Sequence, residues 1–109
     1  MTFTEQRRHE RVSVDIDVYW GRTDDCRQRG RIINLGVGGC FLRTDQAVRP
    51  GQPVFIKFWL PDETTLGGEV RYHLERMGVG VEFKGLSAAE TAHLAALVEH
   101  YREEVDGRR

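Results

Sequence analysis

From Val12 to Tyr19 apolar and polar side chains alternate without a break: Val12, Val14, Ile16 and Val18 against Ser13, Asp15, Asp17 and Tyr19. A period of two sends one set to one face of a β-strand and the other set to the opposite face, so this stretch is a strand with one buried side. The same period returns where Val54, Ile56, Phe58 and Leu60 alternate with Phe55, Lys57 and Trp59. Shorter strands are expected over 31–35, 40–44, 65–73 and 79–83. Between them lie chain breakers: 21–25, the run Gly36-Val37-Gly38-Gly39, Pro50-Gly51-Gln52-Pro53, Pro61-Asp62-Glu63 and 75–78. Glycine and proline in such clusters mark turns rather than strand interiors. About six short strands joined by turns is the pattern of a barrel or sandwich.

The last segment has another period. Ser87-Ala88-Ala89-Glu90 has the form of a capping box, in which the serine hydroxyl and the glutamate carboxylate each satisfy a backbone N–H of the first helical turn. Leu94, Leu97, Val98, Tyr101 and Val105 then recur at three- and four-residue steps, which predicts one apolar stripe on a helix over 88–104. An isolated helix of this length is marginal in water, so it is expected to pack against the barrel. The chain thus divides into a flexible basic arm over 1–11, a single domain over 12–105 and a charged tail over 106–109. With 109 residues, 39% of them hydrophobic, there is material for one modest core.

Several function classes find no support. Sixteen basic and 17 acidic side chains give a net charge of -1, against a dedicated binder of duplex DNA. The two cysteines, Cys26 and Cys40, make neither a disulfide framework nor a metal spacing, and reduced thiols fit a cytoplasmic protein. Cys40, in a strand after the glycine turn, reads as a small buried hydrophobe. His73, His93 and His100 form no metal-like spacing with carboxylates. No Ser/His/Asp set or carboxylate pair stands at a catalytic spacing, so no enzyme, metal or cofactor is expected. The first ten residues carry no apolar signal-peptide core, and no apolar run approaches the roughly 20 residues of a membrane span.

Three segments carry binding chemistry. Arg7-Arg8-His9-Glu10-Arg11 places an arginine pair four residues apart just before the first strand. Asn34-Leu35-Gly36-Val37-Gly38-Gly39 lies where two strands meet, and Gly78-Val79-Gly80-Val81-Glu82-Phe83 is the last strand. In order and spacing these resemble the PilZ domain family: an RxxxR motif, then Asp/Asn-x-Ser-x-x-Gly, then a late Gly-x-Gly-Val-x-Phe strand. The resemblance covers nearly the whole chain. It implies a six-stranded antiparallel, split-barrel-like PilZ β-barrel with a C-terminal helix, all-β apart from that helix. It also implies a receptor that binds cyclic di-GMP and transmits its level to a protein effector, in motility, pilus or exopolysaccharide regulation.

Carried over residue by residue, Arg7 and Arg11 match the two arginines of the first motif, Asn34 the Asp/Asn position and Gly39 the closing glycine. Arg8 is an extra contact, and Gly36 stands where the family has serine, which removes a hydroxyl from the site. The residue types suit a ligand with two guanines and two phosphates. A guanidinium fork meets guanine O6 and N7, or phosphate oxygens, with two parallel hydrogen bonds. Glycines let the backbone approach a ligand closely.

Other readings attach to the same residues. The arginines can be a solvated charge run before a strand, and the glycines can serve the turn alone. With Gly36 in place of serine, the fold can act as an interaction adaptor that binds no nucleotide. Single-stranded nucleic acid binding by Arg31, Trp59 and the arm is a third reading, against which net charge and the sparse aromatic surface count. Of Trp20 and Trp59, either of which could stack a base, one is expected in the core. The expected partners are therefore cyclic di-GMP and a protein effector, with neither duplex DNA nor a membrane, and the chain as a monomer or weak homodimer.

Overall fold

The computed structural model describes residues 11–59 and 62–107. The expected arm, including Arg7 and Arg8, lies outside these residues except for Arg11. The strands are Val12–Gly21 (β1), Gln28–Leu35 (β2), Gly39–Arg43 (β3), Pro53–Trp59 (β4), Glu63–Leu74 (β5) and Gly78–Phe83 (β6), followed by the helix Ala88–Gly107 (α1). They close into a barrel in the order β1-β2-β3-β6-β5-β4, every neighbouring pair antiparallel. Closure is made by Tyr19, Trp20 and Gly21 pairing with Lys57, Ile56 and Phe55. A closed sheet leaves no edge strand with unpaired backbone groups.

The alternation of β1 becomes its two faces: Val12, Val14 and Ile16 are half-buried and Val18 buried, while Ser13, Asp15, Asp17 and Tyr19 face out. The interior is filled by Trp20, Ile32, Leu35, Leu42, Val54, Ile56, Phe58, Leu66, Val70, Val79 and Val81, all at most 1% exposed. Phe58 and Phe83 meet edge to face with ring centroids 6.1 Å apart. Trp20 is the core tryptophan and Trp59 the exposed one.

Strand β2 begins at Gln28, three residues before the expected start at 31. Its inward positions there carry no apolar side chain to reveal a period of two. A Cβ at Gly30 would lie 2.8 Å from Trp20 Cδ1 and 2.9 Å from Leu42 Cδ1, so these two neighbours fill the space a side chain at 30 would need. Strand β5 likewise extends beyond 65–73 at both ends. The capping box forms in both directions: the Glu90 N–H donates to Ser87 Oγ at 3.0 Å, and the Ser87 N–H to Glu90 Oε1 at 3.0 Å. Leu94 and Val98, one helical turn apart, are buried in the core cluster, with Leu97 packed beside them. The helix runs to Gly107, so the expected tail at 106–109 starts inside its last turn. Backbone hydrogen bonding carries the helix past the last apolar residue, which is where a stripe-based reading stops.

Candidate functional site

Arg11 immediately precedes β1, whose first residues Val12 and Ser13 pair with Leu35 and Asn34 at the end of β2. The arginine therefore enters the structure beside the β2–β3 connection. Its Nη1 donates to Asn34 Oδ1 at 3.3 Å. Asn34 can accept this bond because of a break in register. Between Ile32 and Asn34 the β2–β3 pairing shifts by one residue. Strict alternation from the buried Ile32 would turn Asn34 inward and Leu35 outward. The bulge reverses this: Leu35 is fully buried and Asn34 lies half-exposed on the outer side. Bulges commonly re-aim a side chain in this way.

The bend between β2 and β3 is tied at two points. The Gly36 N–H donates to the Gly39 carbonyl at 2.8 Å, and the Phe83 N–H on β6 donates to the Gly38 carbonyl at 2.9 Å. Close approach fixes glycine at 39, since a Cβ there would run into the Val81 carbonyl oxygen of β6 and stand 3.0 Å from Arg11 Nη2. Among the described glycines a left-handed backbone occurs at Gly51, Gly78 and Gly85, and not in this bend. Gly39 thus serves proximity rather than unusual φ.

Around the bend lies an open depression of about 400 Å³, lined by Arg11, Gly38, Gly39, Arg71, Glu82 and Phe83. It carries a second guanidinium, Arg71, whose Nη1 donates to Glu82 Oε1 at 2.7 Å. Glu82 and Glu69 stand directly opposite each other on β6 and β5, a like-charge pair. Lys84 offsets it, with Nζ 3.3 Å from Glu82 Oε1 and 4.0 Å from Glu69 Oε1. Lys84 first, and then Arg71, hold the Glu82 carboxyl below its ordinary range. Beneath the bend Cys40 is fully buried, and burial pushes its thiol up to about 12 despite the opposing charge of Arg11. It is a packing residue, protonated at neutral pH. Cys26 is buried as well.

Of the residues singled out from sequence, Arg11, Asn34 and Gly39 come together here. Gly36 belongs to the same bend through its bond to Gly39. Arg7 and Arg8 lie outside the described residues. Glu82 and Phe83 were visible as part of the last motif but not as lining. Arg71 was missed: the β5–β6 register shifts between Val70 and Tyr72, leaving Arg71 in the bulge. No local spacing announces that. Chemically, the depression offers two arginine forks, one of them held by the Asn34 amide oxygen beside it, and an approachable backbone, a donor-rich surface for an anionic, planar ligand.

The family model for the PilZ domain matches residues 5–100. Among solved structures, the Bacillus subtilis inhibitor of motility MotI/DgrA is similar with a TM-score of 0.74 at 17% identity, over 94% of this chain and 53% of that one. The PilZ domain of CeSA from a cellulose synthesizing bacterium is similar with a TM-score of 0.64 at 18% identity, over 85% of this chain and 98% of that one. MrkH of K. pneumonia in its apo state is similar with a TM-score of 0.68 at 15% identity, over 92% of this chain and 53% of that one. The chain spans about half the length of the first and third of these proteins. No curated protein matches the sequence.

Proposed function

The chain belongs to the PilZ domain family, and from that membership we propose that it is a receptor for cyclic di-GMP, working in the cytoplasm, that passes the level of this second messenger to a protein effector. PilZ domains act as receptor and effector domains rather than as known enzymes. The observation that carries the reading is the placement of the Arg11 fork over Gly39 and against Asn34, at a bend where three of the four residues from Gly36 to Gly39 have no side chain.

In this reading Arg11, with Arg7 and Arg8 from the leading segment, supplies forks to guanine O6/N7 edges and phosphate oxygens. Asn34 orients Arg11 and offers its amide to the ligand. Gly36 and Gly39 let the ligand rest on the backbone. Arg71 adds a further cation without leaving Glu82, since a guanidinium has five N–H donors and the Glu82 bond uses one. Binding would order the leader against the bend, and the resulting change of surface is what an effector reads. No helix among the described residues is long and apolar enough to cross a membrane.

The test is a calorimetric titration of the protein with cyclic di-GMP, with GTP as control. Saturable heat with cyclic di-GMP and none with GTP is the expected result. One observation favours a second reading: Gly36 brings no hydroxyl where the family motif has serine. One neutral hydrogen bond is worth about 0.5–1.5 kcal/mol, roughly two- to tenfold in affinity, which weakens a site without erasing it. Absence of heat at high ligand concentration would decide for an adaptor that binds no nucleotide.

A further inference from the structure

A second and larger depression, about 590 Å³, lies at the other end of the β1–β2 ladder. Arg11 and Tyr19 are eight positions apart along the chain, roughly 25 Å of strand. The depression is formed on the outer face of β1, β2 and β3, with Trp59 of β4 at its side. Tyr19 stands opposite Arg29, Asp17 opposite Arg31, and Arg31 opposite Arg43. Both aromatic rings are open to solvent, Tyr19 at 42% and Trp59 at 53% exposure, although the core of this barrel buries its other tryptophan completely.

The charges here are unevenly satisfied. Arg31 is held by two carboxylates, Asp15 and Asp17, each 3.2 Å from its Nε. Arg29 and Arg43 have no hydrogen-bond or ion-pair partner among the described residues. Exposed tryptophan, tyrosine and arginine around one concavity is the composition of a protein-binding hot spot. Strand addition is ruled out as the mode of recognition, because the closed barrel has no free edge to extend. A partner must be read through side chains.

We infer that this face is a protein-docking surface for an acidic segment with an apolar anchor: Arg29 and Arg43 meet its carboxylates, and Tyr19 and Trp59 wall the anchor. The choice of a protein over a nucleic acid follows from Asp15 and Asp17. A polyanion carries a charge at every unit and would have to pass this carboxylate pair, whereas a peptide can present a neutral apolar residue there. The net charge of -1 points the same way. The inference rests on the receptor reading only for the existence of a partner, since none of these side chains lines the bend depression.

The probe is a short synthetic peptide with a Leu-Phe core flanked by glutamates. The controls are the same peptide with lysines for glutamates, and an oligouridine. Binding is followed by NMR at the Trp59 indole N–H of the full chain. The glutamate peptide should shift that resonance saturably and the lysine peptide should not. An Arg29→Ala/Arg43→Ala double variant should weaken the peptide at least about 30-fold, the loss expected for one hot-spot contact. The same variant should keep native circular dichroism and unchanged heat with cyclic di-GMP. No shift with the glutamate peptide, an equal shift in the double variant, or a shift with oligouridine alone would each overturn the inference. Peptide binding without cyclic di-GMP heat in the parent protein would overturn the receptor reading and leave this surface standing. Cyclic di-GMP heat without peptide binding would do the reverse.

Discussion

The two depressions at opposite ends of the β1–β2 ladder both carry arginines, but they hold them differently. At the bend, both described guanidiniums already have acceptors: Arg11 has Asn34 and Arg71 has Glu82. The backbone there is drawn close by Gly39 and by the Phe83-to-Gly38 hydrogen bond. At the far end only Arg31 is held, while Arg29 and Arg43 stand with aromatic rings on a regular strand face. The first has a fixed geometry, built from backbone and oriented forks, which the proposed recognition of a small anion would use. The second is a surface of adaptable side chains, as contact with a protein segment allows. Orienting an arginine beforehand reduces the entropy lost when it binds.

The sharpest way to break this contrast is Arg11→Ala. If the bend is the nucleotide site, the substitution should weaken cyclic di-GMP by at least about 30-fold, the roughly 2 kcal/mol carried by a hydrogen bond to a charged group. Calorimetry reads the affinity and circular dichroism checks that the fold is kept. Equal losses on changing Arg11 and on changing Arg29 with Arg43 would erase the distinction between the two depressions.

A smaller effect should separate the two glycines. Gly39→Ala forces a Cβ onto the Val81 carbonyl, a backbone atom of the neighbouring strand, so β3 and β6 must part. Gly30→Ala presses on Trp20 and Leu42 side chains, and Leu42 can move. Overpacking costs about 1–3 kcal/mol, with Gly39→Ala expected at the upper end and Gly30→Ala at the lower. Urea denaturation measures both, and the reverse order would show that the bend is less tightly drawn than the barrel wall.

The smallest effect concerns Glu82→Gln. Removing this carboxylate takes a negative charge from the bend depression and releases Arg71, so an anionic ligand should bind a few-fold more tightly. The substitution should also alter the acid limb of stability. A carboxyl whose folded pKa is lowered contributes stability that is present above its ordinary value of 4.5 and disappears as pH falls through the lower folded value. The variant should therefore lose part of the fall in melting temperature on acidification. The change is small because the group is half-exposed and screened. Unchanged ligand affinity in Glu82→Gln would remove Glu82 from any influence on the site.

Much of this molecule could be read locally. The alternation in Val12–Gly21 and Pro53–Trp59 gave strands with known inner faces, and Ser87 with Glu90 gave the start of the helix. Arg11, Asn34 and Gly39 were singled out through the resemblance to the PilZ motifs, and the structure brings the three together at the bend. What escaped depends on register. Parity alone turns Asn34 inward, and only the bulge after Ile32 turns it to Arg11. Arg71 reaches the bend depression from a second bulge, between Val70 and Tyr72. Arg31 and Trp59 were named together only as a nucleic-acid reading, while Arg43 joins Arg31 through the β2–β3 pairing and Tyr19 comes beside β4 when the barrel closes.

The sequence by itself determined which side chains point in or out along each regular strand, where the chain turns and how the helix begins. These follow from the period of the backbone and from bonds between residues a few positions apart. Tertiary structure decided which outward residues became neighbours, because a one-residue slip between strands exchanges their faces and closure joins β1 to β4 across 34 to 38 positions of chain.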